Sequence, residues 1–485
     1  MLDKQHVVQK LFLRDETNFA NIIYMLDEPR NNVLRIIKWF ILATIIGVVV
    51  GVLDAAFLKL LENAIFVRNQ IPFFYLCLPV ALYMVAVLAL KALPKHKDYS
   101  TDAVIHKINS YLPISLVSIV KGFFLSIVTI VVGGSAGKEA PCADVGAGIS
   151  SWISRVLHMN LEDQRKMMIC GVSAGFAGVF GVPISGALFG LEVLWVGHIF
   201  YEVMFPALVA GITAFQVTSY LGVNYIYHPI HFVPVFSEQF FLKVIVAGML
   251  FGLISLLFIE LLKFARVIFR YIRRKMGLFG SCFIGGLLLL LIGHFISPLY
   301  LGLGMAGIDG PLSGHALQSP FGFLYKIITT SITFAAGGIG GVVTPIFFVG
   351  AQAGAALSEF LQVDSATLAA LGVVAVLAGA ANTPLAASIM AIELFGPAIA
   401  PYATVACVLS FLITGQQSIY ANQRITWDSG KTVNEHPSVP VQFGRRATDH
   451  AVQVRSRKTL LKKALKELTR HLIPTTKDIE NTKKQ

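Results

Sequence analysis

A carboxylate set among glycines inside an apolar stretch is chemically costly, and this chain carries one at Glu139, within Gly134-Ser135-Ala136-Gly137-Lys138-Glu139-Ala140-Pro141. Glycines and a proline that interrupt an apolar helix leave backbone amides without intrahelical partners. A bilayer tolerates that only where the amides line a cavity or meet a ligand. Such amides, with the positive end of the helix that follows, suit an anion, and Lys138 adds positive potential. An ionised Glu139 has the charge that such a cluster holds. Seated there it blocks a mobile anion; protonated or displaced, it leaves the path open. The competing reading is a Lys138–Glu139 ion pair at an interface.

The pattern occurs twice. Residues 338–352 align with 134–148 at a constant offset, and residues 372–395 align with 171–194 at nearly the same one. In the latter pair Gly171/Gly372, Ala177/Ala378, Gly178/Gly379, Pro183/Pro384 and Glu192/Glu393 are identical. Two related halves, each with helices broken at membrane depth, are the signature of a transport protein whose site lies where the halves meet.

The elements that must position these residues are apolar. The chain has 485 residues, 55% hydrophobic and 14% charged, with mean hydropathy +0.70, against about 25% charged in soluble proteins. Apolar runs near 36–61, 74–93, 114–133, 200–221, 241–265, 281–298, 326–350, 367–395 and 400–414 approach or exceed the span of roughly 20 residues that a crossing needs. Runs 143–157 and 351–361 are too short to cross upright and predict tilted or half-crossing helices. The expectation is an all-α polytopic membrane protein. Its N-terminal segment is 1–33, its halves are 34–222 and 239–420, an extracytoplasmic linker spans 223–238 and a basic tail 421–485.

Residues 1–33 lack the apolar core and small-residue site of a cleavable signal. Between 424 and 485 there are fourteen Lys/Arg and six Asp/Glu. Lys263, Arg266, Arg270, Arg273, Arg274 and Lys275 form a second basic cluster, and Lys4, Lys10, Arg14, Arg30, Arg35 and Lys38 flank the first helix. The positive-inside rule puts all three in the cytoplasm, hence both termini, with an even number of crossings, in a cytoplasmic (inner) membrane. A nucleic-acid partner for the tail is set aside. Ser456 to Ile473 is amphipathic and suits anionic lipid or the underside of the membrane domain, or is simply solvated. Cysteines 77, 142, 170, 282 and 407 show no metal or redox spacing and read as buried small hydrophobes. His106, His198 and His294 have no second ligand at suitable spacing, so neither an enzyme nor a metal site is expected.

On these residues the chain resembles the CLC family of chloride channels and chloride/proton antiporters, of prokaryotic type without a large regulatory domain pair, over residues 34–420. Gly137-Lys138-Glu139-Ala140-Pro141 resembles the family motif G-[K/R]-E-G-P, which makes Glu139 the gating glutamate. Gly341-Val342-Val343-Thr344-Pro345 resembles G-x-F-x-P, whose amides face the same anion, and Tyr420 in Ser418-Ile419-Tyr420 matches the pore tyrosine. The resemblance implies that chloride is bound by amides at Gly137, Lys138, Glu139, Val342 and Val343, with the Tyr420 hydroxyl. It implies the CLC inverted repeat, a homodimer with one pathway per subunit and no cofactor, chloride being the transported ligand.

Departures from the family pattern carry information. In place of G-S-G-I-P the chain has Ser100-Thr101-Asp102-Ala103-Val104; Thr101 either supplies the anion hydroxyl or caps a helix, and Asp102 would repel an anion if it faced the path. Asp144 stands where the family commonly has a neutral amide. It is either a carboxylate satisfied by its surroundings or a group that handles protons and tunes Glu139. Glu192 is followed by Val193 where antiporters generally place a second acid, so obligatory proton exchange is in doubt; Glu192, paired by the repeat with Glu393, is either structural or proton-linked. The expected activity is that of a chloride channel. A chloride/proton antiporter is the alternative, and a fluoride-exporting relative a further one disfavoured by Tyr420.

Overall fold

The computed structural model describes residues 3–71, 73–92, 101–225, 227–229, 237–425, 427–428 and 431–432, with side chains described only from residue 32 to 425. Ser100, residues 230–236 of the linker and the amphipathic segment 456–473 lie outside the described residues. The chain divides into a unit Met1–Trp427, which holds every described helix, and a unit Asp428–Gln485.

Helix α1 (Asp3–Asn69) is continuous through residue 33, and its apolar, span-length part is Asn32–Asn69. Along its crossing part Ile46, Val50, Phe57 and Leu61 are buried, while Phe40, Ile41, Ile45, Val48 and Val52 are exposed. Apolar residues on both faces are what a helix needs when one side meets protein and the other lipid. A 3-10 turn (Phe74–Cys77) leads into α2 (Leu78–Ala92). That turn corrects one expectation: Cys77 is exposed, whereas Cys142, Cys170, Cys282 and Cys407 are buried.

Helices α3 (Thr101–Asn109), α4 (Leu116–Val131), α5 (Glu139–Val156), α6 (Leu161–Phe180), α7 (Pro183–Glu192) and α8 (Tyr201–Tyr220) complete the first half. The second half contains α9 (Glu238–Phe295), α10 (Ala306–Leu312), α11 (Gly322–Ala336), α12 (Val343–Leu361), α13 (Ser365–Ala381), α14 (Pro384–Phe395) and α15 (Ala400–Thr414). Helix α9 kinks at Gly277 (φ 71°, ψ −174°), so its 58 residues form two crossings. The basic cluster Arg266–Lys275 sits just before that corner. Among the described residues the only strands near the core are β1 (Trp195–Val196) and β2 (Arg424–Ile425), a parallel pair that ties the end of the domain to the residues after α7.

The series α4–α7 repeats as α11–α14, and two of the apolar runs are each divided between two helices. Run 326–350 breaks between α11 and α12 at 337–342, and run 367–395 breaks between α13 and α14 at Asn382-Thr383. Corresponding corners share a backbone conformation: Gly133 and Gly337 have φ 105° and 108°, and Gly181 and Asn382 close α6 and α13 at φ 72° and 57°. Left-handed residues of this kind end helices, and Pro183 and Pro384 then open the next ones. The helices cross at close quarters. A Cβ on Gly146 would lie 2.0 Å from the Gly171 carbonyl oxygen, and one on Gly350 2.3 Å from that of Gly372. The chain is an inverted-repeat helical membrane protein.

Candidate anion site

Two helix N-termini, one from each half, meet at Glu139. Helix α5 begins at Glu139 itself and α12 begins at the corresponding position, Val343. The loops before them are sewn together by an antiparallel bridge, Gly137 N–H to Gly341 O at 2.7 Å and Gly341 N–H to Gly137 O at 2.9 Å. The carboxylate of Glu139 crosses this bridge into the other half. Its Oε1 accepts from the Val343 amide at 2.6 Å and its Oε2 from the Thr344 hydroxyl at 2.8 Å. The amides of Thr344 and of Glu139 itself also face it. It is 3% exposed. A negative group thus sits on unpaired amides at two positive dipole ends, where each charge-assisted hydrogen bond contributes about 1.5–3 kcal/mol.

The glycines here are required by space. A Cβ on Gly341 would lie 1.8 Å from Glu139 Oε1, and one on Gly137 2.2 Å from Oε2.

Two threonines hold the loops from below, each serving the opposite half. Thr129, in the last turn of α4, accepts through Oγ1 from the Ile339 amide at 3.2 Å, and Thr333, in the last turn of α11, accepts from the Ser135 amide at 3.0 Å. Ser135 and Thr330 hydroxyls add a contact at 2.8 Å. Lys326 is fully buried, and its ammonium donates to the carbonyls of Gly302 at 2.9 Å and of Tyr300 and Leu303 at 3.4 Å. It thereby fixes the segment whose Gly302 amide donates to Gly133 O at 3.0 Å, just ahead of the Glu139 loop.

The residues expected at the site fall in different places. Gly137 is at the centre, but its N–H is spent on Gly341, so it is not among the donors turned to the carboxylate. Val343 donates; Val342 is the N-cap of α12. Lys138 is half-buried and has Glu62 and Asp309 as acidic neighbours besides Glu139. The Glu139 carboxylate takes hydrogen bonds from Val343 and Thr344 of the second half, with its own amide beside it. Tyr420 is buried within electrostatic range of Glu139, Asp144 and Asp102. Thr101 is the first described residue of α3, and its side chain faces that of Asp144. Asp102 turns elsewhere, accepting from the Asn422 amide at 2.8 Å and from Asn422 Nδ2 at 2.7 Å, which anchors the segment carrying Tyr420.

Glu192 is committed to a helix end: its oxygens accept from the Leu385 amide at 3.1 Å and the Ala386 amide at 2.9 Å, at the start of α14. Glu393 returns the contact to Ile184 at 2.9 Å and Ser185 at 2.8 Å, at the start of α7. Val193 is buried. Sequence reasoning misses Thr344, Thr129, Thr333 and Lys326; the one signal for Thr344 is its place in the second glycine-proline motif. Among the described residues no cluster of three or more His, Cys, Asp or Glu could hold a metal.

Comparison with known proteins agrees with this architecture. The family described as "Voltage gated chloride channel" matches residues 81–415. A chloride/fluoride channel protein of Pseudomonas syringae pv. tomato is 36% identical over 404 residues, covering 80% of this chain and 87% of that protein. An H(+)/Cl(−) exchange transporter of Klebsiella pneumoniae is 24% identical over 421 residues, covering 80% of this chain and 84% of its own length. The crystal structure of a CLC-type fluoride/proton antiporter superposes with TM-score 0.74 at 27% identity, covering 80% of this chain and 98% of that one. A slow cyanobacterial Cl−/H+ antiporter superposes at TM-score 0.69 and 18% identity, over 78% of this chain and 94% of its own, and supports the fold alone. A membrane-embedded inverted repeat with this glutamate, these loops and these relatives is a transporter and not an enzyme, and the chain belongs to the CLC family of anion channels and transporters.

Proposed function

We propose that the chain conducts chloride along a path in each subunit that the ionised carboxylate of Glu139 closes. The observation that carries this is the seat of that carboxylate: an amide of α12, a hydroxyl of the same helix and two converging dipole ends, all suited to a halide of the same charge. Protonation removes the charge that holds Glu139 there, the side chain leaves, and a halide takes the Val343 amide. Acid therefore opens the path. Binding by partial charges instead of a close cation suits conduction, since an ion held by a full positive charge leaves too slowly. Tyr420 and Thr101 supply hydroxyls to the same path. Val193 in place of a second acid favours passive flow. The homodimer belongs to this proposal.

A second reading, halide exchange for protons with fluoride among the ions carried, rests on the likeness to the CLC-type fluoride/proton antiporter and on the relative from Pseudomonas syringae whose description includes fluoride. Purified protein in liposomes, with potassium clamped by valinomycin and halide and external pH recorded together, separates the two. Halide efflux without stoichiometric proton movement is the expected result. Proton uptake against its gradient would establish exchange, and repeating the assay with fluoride would rank the two ions. Glu139→Gln, a permanently neutral side chain, should conduct at alkaline pH where the parent protein is closed. No change of flux or of its pH dependence in that variant would remove Glu139 from the gate.

A further inference from the structure

A water-sized space lies beside the Glu139 loop and has a carboxylate, Asp144, in its wall. The cavity, about 10 Å³, is lined by Asp144, Ala140 and Pro141 of α5, by Ser126 and its neighbours on α4, and by Ile339 and Gly340. A volume of this order has room for about one water centre, provided polar groups hold it. Asp144 is 6% exposed, and its Oδ1 is fully buried without a hydrogen-bond partner. Ser126 donates its own hydrogen to Gly122 O and Phe123 O, which leaves its oxygen free to accept. The wall of the cavity is continuous with the anion site, since Gly340 precedes the glycine in contact with Glu139, and Ala140 follows Glu139.

A buried carboxylate with an unpartnered oxygen is expensive in a membrane protein and reads as functional. Here the apparent waste has a use. We infer that Asp144 is the proton donor to Glu139, acting through a single water in this cavity. The inference rests on the reading that protonated Glu139 opens the path. The step balances without a co-reactant. The Asp144 carboxyl gives its proton to the water, the water gives one to the Glu139 carboxylate, and the charge moves from Glu139 to Asp144 while the halide takes the vacated amides. Asp144 is then reloaded from solution.

The groups facing Asp144 fit this role. On its own helix the charged neighbour is Glu139; α3 contributes Lys107 together with the Thr101 hydroxyl; the segment after α15 contributes Tyr420. Helix α4 offers Ser126 and apolar side chains at the cavity. Helix α6 packs Gly171 against Gly146, and α1 turns Asp54 toward Cys142. Lys107 and the Thr101 hydroxyl are placed to receive the charge left on Asp144 after transfer.

The test measures chloride efflux from liposomes whose internal and external pH are set independently. In the parent protein efflux should rise on acidification, and in Glu139→Gln it should be high and independent of pH. In Asp144→Asn the acid-activated rise should fall at least about tenfold, the scale expected on losing a positioned proton donor. Asp144→Glu should restore part of it. Ser126→Val fills the cavity while leaving every acid in place, and should slow the acid response to a similar extent. It also keeps the test open should Asp144→Asn not fold. A folded Asp144→Asn or Ser126→Val protein with the parent's pH response would overturn the inference and leave the Glu139 gate standing. A parent protein without any pH response, matched by Glu139→Gln, would instead overturn the reading on which it rests.

Discussion

At Glu139 the hydrogen bonds are unequal in kind, and that inequality is testable. Val343 donates from the backbone and cannot be removed without unmaking α12, whereas Thr344 donates from a side chain at 2.8 Å. Thr344→Val keeps the shape and the β-branch but removes the one side-chain hydrogen bond to a buried carboxylate. A hydrogen bond to a charged group is worth about 1.5–3 kcal/mol, so the seated form should lose roughly tenfold or more in population. Chloride efflux at neutral pH should rise accordingly, and the acid range needed for opening should move toward neutrality. Unchanged efflux would mean that the hydroxyl does not weigh in the gate. At this scale the sequence is legible where chemistry is expensive: a glutamate among glycines in an apolar run stands out, as Glu139 does. Thr344 does not, because threonine is common in apolar helices and its partner lies in the other half of the chain. Asp102 stands out for the wrong reason. Its charge suggests repulsion of an anion, but its carboxylate is taken up by Asn422.

Among the elements, the breaks marked by glycine are readable and those marked otherwise are not. The corner between α4 and α5 advertises itself through Gly133 and Gly134. The corner between α13 and α14 is made by Asn382 in a left-handed conformation, inside a run that hydropathy reads as continuous. The cross-bonds of Thr129 and Thr333 are hidden for a related reason. Each hydroxyl also donates to the carbonyl four residues back at 2.8 Å, a local contact that any helical threonine can make. Its second, long-range role as an acceptor has no local signature.

Glu192 and Glu393 show how the repeat is used mechanically. Each ends one helix and caps the first turn of its counterpart, α7 to α14 and α14 to α7, so the clasp satisfies helix amides that nothing within their own helices can. Replacing either by Gln turns one carboxylate oxygen into a donor facing an N–H. We expect Glu192→Gln to cost about 1–3 kcal/mol, read as a lowered melting temperature in detergent, with the pH response of efflux intact. Loss of that response without a change in melting would return Glu192 to the proton path.

For the whole molecule, we propose an orientation from charge, and one natural cysteine can test it. Arg35 and Lys38 precede the crossing part of α1, and Arg266–Lys275 precede the Gly277 corner of α9. With both clusters in the cytoplasm, α1 must deliver Asn69 to the opposite face. The turn Phe74–Cys77 then lies at the extracytoplasmic boundary, where Phe73, Phe74 and Tyr75 form an aromatic group of the kind found at membrane interfaces. Cys77 is exposed there, and Cys142, Cys170, Cys282 and Cys407 are buried among helices. A membrane-impermeant maleimide added to right-side-out vesicles should therefore label the parent protein, and Cys77→Ser should abolish that labelling. In inside-out vesicles the parent should remain unlabelled until the bilayer is opened. Labelling in the inverted sense would reverse the orientation, and with it the side from which protons reach Asp144, while leaving the site where the two halves meet as it is.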